Sequence, residues 1–149
     1  MFNRFTKDAR QVVTEATEIA RERGSSSVEA EHLLLAAAGG ALPVAAVLHA
    51  AGLDPESLAA ALDAESARSL AAVGVQAGTP RFSPYVEKPR FAASSKLALE
   101  RALRVAVGRK DNSIGAEHVV AAILRAPTGT VPRALECAGV DRVALLRRV

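Results

Sequence analysis

The sequence predicts an all-α fold made of two tandem four-helix repeats. Its 149 residues suit one ordinary domain with a buried core. Half of the residues are hydrophobic but only 3% are aromatic and none is Trp, so Ala, Leu and Val must form the core, which favours closely packed helices. No stretch alternates apolar and polar residues convincingly, as a half-buried strand would.

The repeat is visible when the sequence is aligned with itself. A shift of 86 positions aligns Phe5 with Phe91 and the Ala-Glu-His that starts at Ala30 with the one that starts at Ala116. One inserted residue then changes the shift to 87, which aligns the later AGLD with AGVD. A match this long indicates a duplicated unit of about 60 residues, and such units bury their apolar faces against each other.

The helices of the first repeat follow from caps, apolar periodicity and breakers. Thr6 is a candidate N-cap, and apolar residues recur at helical spacing from there to about Arg23. Glycine and serine residues end this helix. The following three helices are predicted from about Ala30 to Gly39, from Pro43 to Ala51, and from an Asp-Pro-Glu opening at Asp54.

The second repeat follows the same plan. Its helices are predicted at about Ala93 to Arg109, Ala116 to Leu124, Val131 to Ala138, and Asp141 to the end. Residues 66–90 contain two glycines and three prolines, which is typical of a linker. We therefore expect a single domain over 1–149, with repeat one at 1–65, the linker at 66–90 and repeat two at 91–149.

Several functional classes are not expected. The apolar stretch from Leu33 to Leu53 is broken by Gly39-Gly40 and Pro43, which predicts two short helices rather than a membrane span. The first 63 residues carry 5 basic and 9 acidic side chains and the rest carry 14 and 7, but the basic residues are dispersed, which argues against nucleic-acid binding.

Catalytic and metal-binding motifs are also missing. The sequence contains no phosphate-binding glycine loop, no nucleophile elbow and no zinc motif, so we expect neither an enzyme nor a bound metal or cofactor. Its single cysteine, Cys137, and its N-terminus, which does not resemble a signal peptide, predict a cytoplasmic location.

The Glu-His pairs at Glu31 and Glu117 have two interpretations. A carboxylate in the first helical turn is favoured by the helix dipole, so each glutamate could serve stability alone. It could also point outward and receive a guanidinium in a charge-assisted bond. For His32 and His118 the expected role is structural, as side chains bonded to the adjacent loop, because neither lies at ligand spacing from a Cys, Asp or second His.

Four segments carry a family resemblance: MFNRFTKDARQVV, EAEHLLLAA, AAGLD and GAEHVVAAIL. They resemble the duplicated N-terminal domain of the Clp AAA+ unfoldases, most of all the ClpC type. The resemblance implies an eight-helix bundle with pseudo-twofold symmetry. Because no ATPase modules follow in this sequence, we expect a stand-alone Clp N-terminal domain.

The resemblance also implies two phosphoarginine or peptide sites. The family's binding carboxylates correspond to Glu31 and Glu117, and one of its helix-start hydroxyls corresponds to Thr6. The second hydroxyl position is Ala92, and the threonine that precedes each glutamate in the family is replaced here by Ala30 and Ala116.

A further implied site is a groove between the first and fifth helices, where cyclic peptide antibiotics bind some ClpC domains. The matching residues are Phe2, Arg10, Val13, Phe91, Lys96, Leu99 and Glu100. Aromatic anchors, an apolar floor and charged edges are typical of a peptide pocket. Phe91 and Leu99 could instead be interhelical core.

Two functions follow from the resemblance. The first is an accessory substrate receptor or adaptor that delivers proteins or peptides to the ClpC and ClpP machinery. The alternative is a decoy that sequesters ClpC-targeting cyclic peptide antibiotics as self-protection. A regulator that competes for adaptors without binding peptide is a third possibility.

Overall fold

The structure, a computed structural model, describes residues 4–74 and 88–149. These residues form eight α-helices and one pair of two-residue strands, which confirms the predicted all-α, two-repeat architecture. In chain order the elements are α1 (Lys7–Glu22), β1 (Ser27–Val28), α2 (Ala30–Gly39), α3 (Pro43–Ala50), α4 (Pro55–Ala72), β2 (Arg90–Phe91), α5 (Ala93–Gly108), α6 (Ala116–Arg125), α7 (Thr130–Cys137) and α8 (Arg142–Arg148).

Side-chain caps fix three of the helix starts. Thr6 Oγ1 accepts a hydrogen bond from the Ala9 N–H at 3.1 Å at the start of α1. Asp54 accepts from the Ser57 N–H at 3.3 Å before α4, and Asp141 accepts from two amides of α8. Each cap satisfies an amide that has no partner within its own helix. The predicted caps Thr6 and Asp54 are confirmed.

Two short backbone pairings relate the repeats by a pseudo-twofold axis. Val28 of β1 pairs with Phe91 of β2, and an isolated bridge joins Phe5 to Ile114. A shift of 86 positions aligns Phe5 with Phe91 and Val28 with Ile114, so the two pairings are equivalent in the two repeats. The sequence predicted no strand because two residues are too few to show an alternating pattern. The strand pair is a correction to that expectation.

Helices α2 and α6 form the centre of the bundle. Every residue of α2 from His32 to Ala38 is buried, as is every residue of α6 from His118 to Leu124. A helix that is apolar on all sides is stable only inside a protein. Helix α1 packs on α2 and α5 packs on α6, and the alanines at these contacts allow close approach.

Helix α4 is longer than predicted. It continues through residues 66–72, which were expected to belong to the linker, because this stretch holds helix-forming residues and the first glycine follows at Gly74. Linker residues 75–87 lie outside the described residues. Helix α4 packs against α7, so it joins the first repeat to the second.

No single helix in the described part of the chain is long and apolar enough to cross a membrane. Helices α2 and α3 together reach the required length and composition, but they meet at an angle of 100°. The break lies between Gly39 and Pro43, where the sequence predicted it.

Candidate functional site

The histidine of each Ala-Glu-His motif stabilises its own helix start. His32 Nδ1 accepts a hydrogen bond from the Glu29 N–H, and His118 Nδ1 accepts one from the Gly115 N–H, both at 2.8 Å. Both rings are buried. Because Nδ1 accepts, the neutral ring carries its proton on Nε2. The predicted structural role of these histidines agrees with these contacts.

Burial also controls the charge of the first histidine. Burial and, to a smaller extent, the nearby Arg23 guanidinium lower the pKa of His32 to about 4, while the Glu29 carboxylate opposes the shift. His32 is therefore neutral at physiological pH, when it can accept the amide hydrogen bond.

Glu31 is the least satisfied charged group near this helix start. Its side chain is 22% exposed, and it makes no hydrogen bond to any residue in the ranges 4–74 and 88–149. Burial raises the pKa of its carboxyl group, Arg23 opposes this effect, and neighbouring carboxylates reinforce it. The nearest ring nitrogen, His32 Nε2, lies 3.9 Å from Oε1.

Glu31 lies between two cavities. The first, which we call the α2 cavity, has a volume of about 300 Å³ and lies between the start of α2, the side of α5, the end of α6 and the start of α7. Its apolar lining consists of Ala30, Leu97, Ala98, Ala122, Ile123, Ala126, Pro127, Val131 and Pro132. Glu29 and Glu31 lie at one end. Arg101 lies two helical turns along α5 from Ser94, which lines the same end.

The second cavity is smaller and polar. It has a volume of about 250 Å³ and includes Glu31, Arg23, Asp63 and Glu65 in its lining. Arg23 Nη2 is bound to Asp63 Oδ1 at 2.6 Å. Arg23, the arginine that lines this polar cavity, therefore already has a carboxylate partner.

Ser94 connects the two repeats at the α2 cavity. Its hydroxyl accepts a hydrogen bond from the Ala30 N–H at 2.9 Å and donates one to the Glu29 carboxylate. Ser27 donates a second hydrogen bond to Glu29 at 3.2 Å. The first free amide of α2 is therefore already occupied, and a carboxylate lies beside it.

A third cavity is the pseudo-twofold counterpart of the α2 cavity. This α6 cavity has a volume of about 330 Å³ and is lined by Asp8, Leu42, Pro43, Val44, Val47, Ala116, Glu117, Arg148 and Val149. Asp8 corresponds to Ser94, and Glu117 corresponds to Glu31. Glu117 is 52% exposed, and a Cβ atom added to Gly115 would lie 2.5 Å from its Oε2. The Glu117 carboxylate thus lies over the start of its own helix.

The predicted phosphoarginine residues are divided between the two pseudo-twofold-related helix starts. The Thr6 N–H donates to the Ile114 carbonyl at 2.9 Å, which places the start of α1 beside the start of α6 and Glu117. The Ala92 N–H donates to the Val28 carbonyl at 3.0 Å, so Glu31 faces the start of α5 instead. Thr6 Oγ1 is used as a helix cap.

Only some of the residues predicted to form the cyclic-peptide groove are exposed at the surface. Phe2 lies outside the described residues. Leu99 is buried in the core, and Val13 and Phe91 are partly buried against it. Arg10, Lys96 and Glu100 are exposed, and none of these six described residues lines the α2, α6 or polar cavity. The groove therefore stays a prediction.

Sequence reasoning missed Glu29, Ser94 and Arg101. Ser94 could have been found, because a shift of 86 positions aligns it with Asp8 in the first turn of the other repeat. Nothing in the sequence indicates that Ser94 reaches α2, because that contact joins residues 64 positions apart.

Comparisons with known proteins agree with this fold. The model of the Clp repeat (R) N-terminal domain matches residues 4–89 and 90–149. The chain is 32% identical over 142 residues to the chloroplastic chaperone protein ClpC1 of Oryza sativa, which covers 95% of this chain and 14% of ClpC1. It is also 32% identical over 145 residues to an uncharacterized protein of Mycobacterium tuberculosis, half of whose length it covers.

Two solved structures show the same fold at low sequence identity. The N-terminal domain of the chaperone ClpD from Arabidopsis thaliana matches with a TM-score of 0.70 and 20% identity, over 99% of this chain and 95% of that one. The Hsp104 N-terminal domain from Candida albicans matches with a TM-score of 0.65 and 18% identity, over 97% and 87%.

Proposed function

Because the chain belongs to the Clp repeat N-terminal domain family, we propose that it is a non-enzymatic receptor or adaptor of a Clp protease system. In this role it binds segments of protein substrates and brings them to a Clp unfoldase and its protease. The family supports substrate binding in general. The chain spans only 14% of its chloroplast relatives, so the activity of the whole chaperones is not transferred to it.

The α2 cavity is the observation that carries this proposal. Its lining is mainly apolar, with charged groups at the two ends, and its volume of about 300 Å³ suits one or two peptide side chains. An apolar cavity gives affinity, and a few polar groups at its ends fix the orientation of the bound chain.

Binding of an unfolded protein tests the proposal. We expect fluorescently labelled, reduced and carboxymethylated α-lactalbumin to bind the chain, with binding measured by fluorescence anisotropy. Leu97→Asp should weaken it at least tenfold, because Leu97 lines the cavity and is 40% exposed, so the substitution is tolerated by the fold.

Leu103→Asp is the matched control. Leu103 lies on the same helix and is 37% exposed, but it does not line the α2 cavity. Equal loss of binding in both variants, or no binding by the unsubstituted chain, would contradict the proposal. Co-purification of the chain with a Clp unfoldase would separate delivery from simple binding.

The decoy function is the second candidate. The observation that favours it is Phe91, a partly buried aromatic residue directly before α5, with the exposed Lys96 in the first turn of that helix. Calorimetry with a ClpC-targeting cyclic peptide tests it. Sub-micromolar affinity without association with ClpC or ClpP supports a decoy. Lys96→Ala is a better variant than Phe91→Ala, because Lys96 is exposed and its removal cannot collapse the fold.

A further inference from the structure

We propose that the α2 cavity binds an extended peptide segment that carries an unmodified arginine or lysine followed by apolar residues, and that it rejects arginine phosphorylated on its guanidinium. The inference rests on the proposed receptor function and specifies its ligand. It also differs from the phosphoarginine binding that the family resemblance implies.

The first step concerns the cationic partner that the Glu31 carboxylate lacks. Glu31 is half-buried and has no hydrogen-bond partner among the described residues. Arg23 of the polar cavity is already paired with Asp63 at 2.6 Å, and Arg133, which lines the α2 cavity, is paired with Glu65 at 2.7 Å. A cationic side chain of a ligand would supply the missing partner through a charge-assisted hydrogen bond.

The second step concerns the exclusion of a phosphoryl group. A phosphate is usually bound at a helix start by free amides, but the Ala30 N–H already donates to Ser94 Oγ. The same hydroxyl donates to the Glu29 carboxylate, so a negative charge lies beside this amide. Phosphorylation would add negative charge to the ligand beside the Glu29 and Glu31 carboxylates, and like charges repel each other.

The third step concerns the direction of the peptide. The apolar lining separates the carboxylate end from Arg101, and seven residues of α5 between Ser94 and Arg101 correspond to about 10 Å. Three residues of an extended peptide cover about the same distance. A basic residue at the carboxylates and an acidic residue at Arg101 would thus be separated by two residues, whose apolar side chains fill the apolar lining.

Three fluorescein-labelled peptides test this specificity by anisotropy: Gly-Arg-Leu-Val-Glu-Gly, the same peptide with phosphoarginine, and the charge-reversed Gly-Glu-Leu-Val-Arg-Gly. The first peptide is expected to bind at least tenfold more tightly than the second and several-fold more tightly than the third. Equal or tighter binding of the phosphoarginine peptide overturns the inference.

Glu31→Gln locates the effect. This substitution keeps the size of the side chain and should reduce affinity for the first peptide about tenfold. Glu22→Gln removes an equal charge at the exposed end of α1, outside the lining of the described cavities, and should leave the affinity unchanged. Equal loss in both variants would show a long-range charge effect and overturn the inference. Failure of all three peptides, with unfolded lactalbumin still bound, would overturn this inference and leave the receptor function supported.

Discussion

The starts of α2 and α6 share one sequence pattern but differ in their surroundings. Both use the histidine of Ala-Glu-His to accept an N-cap amide hydrogen bond. At α2 the N-cap is Glu29 and the facing residue is Ser94, whereas at α6 these positions are Gly115 and Asp8. After duplication, the residue that stabilises the helix is retained in both copies, while the residues that line the cavities are not.

Replacement of either buried histidine should give the largest change in the free energy of unfolding. His118→Ala is expected to lower the free energy of unfolding by about 3 to 4 kcal/mol and His32→Ala by about 2 to 3, because each leaves a cavity and an unpaired amide. His118→Ala should lose more stability, because His118 Nε2 also forms a hydrogen bond with Asp111 Oδ2 at 2.7 Å. Urea unfolding followed by circular dichroism measures both.

The third histidine provides the control. His49 is exposed, and its ring bonds only the Ala38 carbonyl among the described residues. His49→Ala should cost about 1 kcal/mol or less. If His32→Ala and His118→Ala cost no more than this, their rings do not hold the helix starts.

Acidification should give the next largest loss of stability, through protonation of His32 at the start of α2. The pKa of His32 is about 4 in the folded chain and 6.5 in its ordinary state, so the unfolded chain binds more protons between these values. The contribution of His32 is therefore complete above about pH 6.5 and is lost as the pH falls towards 4. The expected loss is about 3 kcal/mol.

Glu31 acts in the opposite direction. Burial raises its pKa, so the folded chain holds this proton more tightly and the contribution of Glu31 to stability falls as the pH rises. Glu31→Gln should therefore make the pH dependence of unfolding steeper, and His32→Gln should make it flatter. An NMR titration in which the His32 ring has a midpoint near 6.5 would contradict the assignment.

The helices and their starts could be predicted from the sequence because their signals are local. Thr6, Asp54 and Asp141 each cap an amide two or three residues away, and the repeat fixes the equivalent positions in the second half. The repeat shows that Thr6 and Ala92 are equivalent, and it does not show that Thr6 lies beside Glu117.

The cavity residues could not be predicted because their contacts are long-range. Ser94 meets Ala30 across 64 positions, and Arg133 meets Glu65 across 68. Periodicity places a residue on a helix face, but it does not say which helix covers that face. Leu99 illustrates the limit, since an apolar residue of α5 suits a groove floor and the core equally well, and the structure places it in the core.

The smallest expected effect concerns the helix caps of the two repeats, which one substitution at Ala92 could make equivalent. Thr6 and Ala92 hold nearly the same backbone geometry, with φ and ψ of −66° and 164° for Thr6 and −78° and 170° for Ala92, yet only Thr6 has a hydroxyl to cap its helix. Ala92→Thr should therefore stabilise the chain by about 0.5 to 1 kcal/mol, and Thr6→Ala should destabilise it by a similar amount. Chemical unfolding of both variants measures the pair. A loss of stability in Ala92→Thr would mean that the half-buried site at α5 has no room for the side chain, and the difference between the repeats would then be one of packing rather than of capping.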